Sequence, residues 1–330
     1  MLGGGIPFLA PLVALPALVV VIVTVLPRRR RNAADERRHP VLTGVRLAST
    51  VVTLVGILLG LIASIVLAVS EPAWNGLGRG VILAPLLFGA VVLAVIVAGN
   101  IVVRWLVSRR AERPVAAGSR RRPGFGALIP RTLAAVVAGL TLTTFVMVAI
   151  AWMTGADDDR GRPGRSFTTL SPDQMHGTSS GPWPGEFYGI FAILGMVVLL
   201  AVLAFALLVV RFRAPAGSDL ESPQVDAMGR RREAEALFGA TGLSIAMLVF
   251  GIAGSMAAIL LRVRPDARIS GYELGLGYDL AGAAALFVAF VAVGVGVWCA
   301  VSMFLPTPAP AGAVGDDRRR EAPEELEAGV

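Results

Sequence analysis

The chain has 330 residues, 55% of them apolar and only 16% charged, with a net charge of +7 and a mean hydropathy of +0.72. That balance lies outside the range of a water-soluble domain and puts most of the chain in a membrane. All 30 basic residues are arginine, which removes chemistry that needs a lysine amine, from Schiff-base catalysis to the Walker phosphate cradle; the single cysteine, Cys299, excludes an intrachain disulfide and a cysteine metal cluster.

A membrane crossing takes about 20 apolar residues. Seven stretches meet this without a charged residue inside them: 6–26, 47–69, 81–103, 132–152, 187–210, 237–261 and 280–305. One charge at the centre of such a helix costs about 2.5 to 3.5 kcal/mol. The clean windows therefore predict an all-α, polytopic bundle of seven transmembrane helices over 1–305, followed by a disordered tail at 306–330.

The first window is preceded by MLGGG and followed by PRRRRNAADERRHP, the reverse of a cleaved signal peptide, so it reads as an uncleaved anchor with Pro7, Pro11 and Pro16 bending its outer half. The second carries Gly56, Gly60 and Ser64 at four-residue spacing, which lets helix backbones approach closely. In the third, Pro85 and Asn100 stand out, and Asn100 is the most polar candidate for burial. Between the fourth and fifth lies a loop, 155–185, rich in Gly, Pro, Ser and Thr, which reads as irregular. Its triplet Asp157, Asp158, Asp159 reads as a solvated turn, since the spaced ligands of a calcium loop are missing. The segment GPWPGEFYG that ends this loop puts Trp183, Phe187 and Tyr188 at the start of the fifth window. Together with Trp74, Trp105 and Trp152 they read as an interfacial aromatic belt.

The loop 211–236 ends in GRRREAEAL, a helical pattern that runs on into the sixth window, where Gly251 and Ser255 repeat the small-residue spacing. Next comes SGYELGLGYDLAG, where Tyr272 and Glu273 recur six residues later as Tyr278 and Asp279. One reading makes Glu273 or Asp279 a proton or cation site near the membrane. The other makes Asp279 the cap of the seventh helix. In the last window Ala281, Ala285 and Ala289 share one face and Ala292, Gly296 and Ala300 another, which places that helix at the centre of the bundle.

Charge sets orientation. Loops 27–46, 104–131 and 211–236, with the tail, hold 23 of the 30 arginines; the N-terminus and the alternate loops hold seven. The positive-inside rule then puts the N-terminus outside and the C-terminus in the cytoplasm of a plasma-membrane protein. The arginine clusters act as retention signals that also attract anionic lipids, and nucleic acid is not an expected partner. His39 and His176, the only histidines, fall on opposite sides, so no paired-histidine metal or haem site is expected, and no cofactor.

In the segment 181–237, an aromatic GPWPG stretch precedes one span and a short arginine-rich loop the next. In this it resembles uncharacterised actinobacterial multi-span membrane proteins, a kinship that suits the all-arginine, Ala/Gly/Val/Leu-rich composition of a high-GC genome. The resemblance implies a membrane location and supplies no activity. No catalytic pair can be assembled, so the expectation is a non-enzymatic accessory, assembly or sensing component, with protein partners at its loops or tail. The alternative is a transporter component with a polar site near the outer boundary.

Overall fold

The computed structural model describes residues 41–70, 78–110, 125–171, 177–212 and 223–305. The predicted first span at 6–26, the tail at 306–330, both histidines and Trp74 lie outside the described residues. Within them the order is α1 (Val41–Ser70), α2 (Arg79–Arg110), α3 (Phe125–Leu128), α4 (Arg131–Thr154), β1 (Phe167–Leu170), β2 (Gly177–Ser180), α5 (Glu186–Phe212), α6 (Pro223–Ile269) and α7 (Gly277–Phe304). All of these helices except the four-residue α3 are long and apolar enough to cross a membrane, which makes six among the described residues. Each covers one of the charge-free windows, α7 stopping one residue short of the end of 280–305. The chain is thus a multi-pass membrane protein by length and composition, and rows of exposed apolar side chains such as Leu54, Leu58, Ile62 and Ile65 on α1 suit contact with lipid.

Helices α1 and α2 form an antiparallel pair whose contact is made of glycine. A Cβ at Gly60 would lie 2.9 Å from the Phe88 ring and 3.0 Å from its carbonyl oxygen, one at Gly56 would meet Val95 at 3.4 Å, and Gly99 of α2 sits as tightly under Val52. Ser64 completes the row by donating to the Ala84 carbonyl across the interface at 2.8 Å. Close backbones earn dispersion contacts where lipid offers no hydrophobic drive.

The central element is α6, not the last helix. Of its most apolar window 61% is buried, against 28% for α7, and α6 packs on α2, α4, α5 and α7. Its 47 residues would extend about 70 Å at 1.5 Å per residue, far more than a bilayer core. The arginine-rich approach therefore is helix, as its pattern indicates. There Arg230, 4% exposed, donates to the Val210 and Arg211 carbonyls at 3.0 and 2.8 Å, capping the C-terminus of α5. The next residue, Arg231, reaches the buried Glu235 one turn on at 3.3 Å. Against α6, α7 lays a single stripe of Gly282, Ala285, Ala289, Ala292, Gly296, Cys299 and Met303, spaced three and four apart. The two expected alanine faces are therefore split differently: Ala281 is exposed and Ala300 only half-buried.

The loop expected to be irregular carries two paired strands. Phe167–Leu170 pairs antiparallel with Gly177–Ser180, with Phe167 opposite Ser180 and Leu170 opposite Gly177. Phe167 and Thr169 point inward while Thr168 and Leu170 point out, the period-two alternation of a half-buried strand. This hairpin folds back over the ends of α4, α5 and α6 and defines what is called below the hairpin face.

Candidate functional site

The hairpin face is tied down at three places. At the first, Asp158 organises the turn after α4. Its Oδ1 accepts the Arg160 and Arg162 amides, both at 2.9 Å, while Oδ2 accepts Arg162 Nε at 2.7 Å and Arg165 Nη1 at 2.8 Å. Loss of water would raise the pKa of this carboxyl, but the Arg162 amide, the Arg165 guanidinium, the Arg160 amide and the Arg162 side chain outweigh that and hold it well below the usual carboxylate range. Asp158 is thus a structural anion occupied by arginines, where a solvated acidic turn was expected.

At the second, Gly155, Gly164 and Gly185 meet where α4 ends and α5 begins. Gly164 has φ +63° and lies against the Glu186 backbone with no room for a Cβ. Beside this crossing Trp183 is 1% exposed, packs 4.6 Å from the Phe167 ring and donates its indole N–H to the Ala151 carbonyl at 2.8 Å. Phe187 and Tyr188 are buried too. These three aromatics are therefore a plug within the protein and not a belt at the lipid interface: Phe167 of the hairpin packs on Trp183, Arg79 lies over Phe187, and Arg165 donates to the Tyr188 hydroxyl. Trp105 and Trp152 remain exposed at helix ends.

The third tie uses the repeated patch. Tyr272, in the turn between α6 and α7, is buried, and its hydroxyl lies 3.1 Å from Thr169 Oγ1 and 3.0 Å from Thr178 Oγ1, one from each strand. Tyr278 instead packs edge-on to Phe167 at 6.2 Å. Asp279, in the first turn of α7, accepts from Arg264 Nη1 at 2.6 Å, while Glu273 is exposed. The four residues thus separate into a latch, a packing ring, an ion pair and a surface carboxylate. No N-cap hydrogen bond is made by Asp279, since Leu276 stands at that position.

Among the described residues, cavities open beneath this cap on different faces of α6. The larger, about 570 Å³, has Met256 and Leu260 of α6 as its floor, Met147 and Ile150 of α4 as one wall, and Gly277, Tyr278, Ala281, Ala284 and Ala285 of α7 as the other. Phe167 and Trp183 roof it. The smaller, about 270 Å³, lies between Val81 and Pro85 of α2 and Met247, Gly251 and Ser255 of α6, under Pro182 and Pro184. The small pair Gly251 and Ser255 therefore faces open space: nothing lies within 4 Å of a Cβ at Gly251, and the Ser255 hydroxyl turns back to the Ile252 carbonyl at 2.8 Å. That pair does not make the helix contact its spacing suggests. Asn100 is half-buried on α2, beside the Gly99 contact and remote in sequence from both cavities.

The larger cleft was not legible in the sequence, although its alanines were. Arg264, fifteen residues before Asp279, is the partner that a search for opposite charges at the two helix ends would have found. Among the described residues no group of three or more His, Cys, Asp or Glu could hold a metal. Comparison with known proteins returns no match: no family model, no curated protein and no solved structure matches the chain.

Proposed function

We propose that this chain is an accessory or assembly component of the plasma membrane, with its N-terminus outside, and that it receives a transmembrane helix of a partner protein in the cleft between α4, α6 and α7. The observation that carries this reading is the cleft itself. Its floor and walls are almost wholly apolar, most of its lining belongs to the helices long enough to cross a membrane, and its α7 wall sets Gly277, Ala281, Ala284 and Ala285 beside a single ring, Tyr278. Small residues let a second helix backbone come close, where a lipid chain gains little from smoothness. The rigid cap limits how far such a helix can reach.

A transport role finds less support. Asp279 is held by Arg264, Glu273 stands on the surface, and Asn100 has no acidic or basic neighbour in sequence within its window. A photo-reactive amino acid at position 284, in protein expressed in its own host, tests the proposal. The expected product is one discrete protein adduct that disappears in the Ala281→Trp variant, whose indole fills the cleft. Adducts to lipid alone would overturn the accessory reading.

A further inference from the structure

A cation, Arg79, stands in the chain between Gly78 and Val81, two residues that line the smaller groove. Arg79 opens α2, and its guanidinium lies over two rings of α5, 4.0 Å from the Phe187 centroid and 4.5 Å from that of Phe191. No carboxylate within ion-pairing distance of it occurs among the described residues, and its Nε is buried without an acceptor. Arg165 approaches the same Phe187 ring at 5.6 Å, but Asp158 neutralises Arg165 and not Arg79. The rings hold the guanidinium plane through cation–π attraction, which leaves the hydrogen-bonding edge to seek an anion. Tyr188, next to Phe187, lines the groove as well. The N-terminal amides of α2, which lack intrahelical partners, add positive potential at the same level.

The groove itself is apolar and narrow. Along α6 it runs from Ser255 to Met247, about 12 Å at 1.5 Å per residue. It exists because Gly251 has no side chain to fill it, and because Pro85 leaves α2 without one amide, so that the Val81 carbonyl lacks its helical donor. A cavity of about 270 Å³ falls at the small end of ligand sites, suited to a single chain and too small for a folded segment.

We infer that this groove binds one anionic phospholipid of the surrounding bilayer, its acyl chain between α2 and α6 and its phosphate on Arg79. The site is independent of the proposed partner cleft, which lies on a different face of α6. Filling that cleft with Ala281→Trp leaves the lipid bound, so the two readings fail separately.

The test uses the full chain reconstituted in nanodiscs of phosphatidylglycerol and phosphatidylcholine in equal parts, then released and weighed by native mass spectrometry. The intact protein should retain phosphatidylglycerol in roughly tenfold preference. Arg79→Gln should bring the ratio near one, and Gly251→Leu, which fills the groove, should lose bound lipid of both kinds while thermal unfolding shows it folded. Should Arg79→Gln fail to fold, Gly251→Leu alone decides: lipid retained in full would overturn the assignment. Equal retention of the two lipids by the intact protein would overturn it as well. So would displacement of the lipid by excess inorganic phosphate, which would assign a soluble anion to Arg79 instead.

Discussion

Tyr272 joins positions 103 residues apart in sequence when its hydroxyl meets Thr169, and with Thr178 it secures both strands of the hairpin. Tyr272→Phe leaves the two threonine hydroxyls only each other, at 2.9 Å. The loss should be about 0.5–1.5 kcal/mol per hydrogen bond, confined to the cap: amide hydrogens of 167–170 and 177–180 should exchange faster while those of α6 stay as they were. Asp158 supplies a second test at this scale. Because its folded pKa is depressed, its contribution is fully present above the unfolded value of about 3.9 and erodes as pH falls from there toward the lower folded value. Protection of the turn 156–166 should therefore be flat from neutral pH to about pH 5. Asp158→Asn, which turns an amide toward the Arg162 and Arg165 donors, should lose that protection at every pH.

Helix pairs show what spacing in a sequence can and cannot specify. The four-residue rise of Gly56, Gly60 and Ser64 was readable because helix geometry alone puts them on one face, and they meet Val95, Phe88 and the Ala84 carbonyl of α2. Gly60→Leu must push the Phe88 ring aside, so it should destabilise the α1–α2 pair by about 1–3 kcal/mol. Thermal unfolding in detergent would show this as a lowered midpoint, whereas Gly139→Leu, which meets nothing within 4 Å, should leave the midpoint in place. Gly251 and Ser255 have the same spacing and line a groove instead. A smooth face is legible in residues, but what lies upon it is not. In α7 nearly every face is alanine or glycine, so its true stripe through Gly282, Cys299 and Met303 emerges only against α6. The hairpin was hidden for another reason: its two four-residue strands carry Thr and Ser, which read as loop until Phe167 and Thr169 are seen turned inward.

Across the whole molecule, the charge-free windows located the six described membrane-crossing helices because hydrocarbon penalises charge without regard to fold. The centrality of α6 was not legible in the same way, since lipid-facing and protein-facing residues are equally apolar in a bilayer. Its signal lay just outside the window, where Arg230, Glu233 and Glu235 are buried beside an apolar run. That helix also offers the sharpest test of orientation, because one continuous element joins the arginine-rich face to the hairpin face. In a Cys299→Ala background, Ala227→Cys reports the first face and Arg160→Cys the second; both positions are exposed. With the N-terminus outside, an impermeant maleimide added to intact cells should label position 160 alone, and position 227 only after lysis. The reverse pattern would turn the hairpin, Arg79 and its groove toward the inner leaflet and require the arginine clusters to face outward against the positive-inside bias. Labelling of both positions in intact cells would be the most damaging result, since it would mean that α6, on which every other helix of the bundle except α1 is packed, does not cross the membrane.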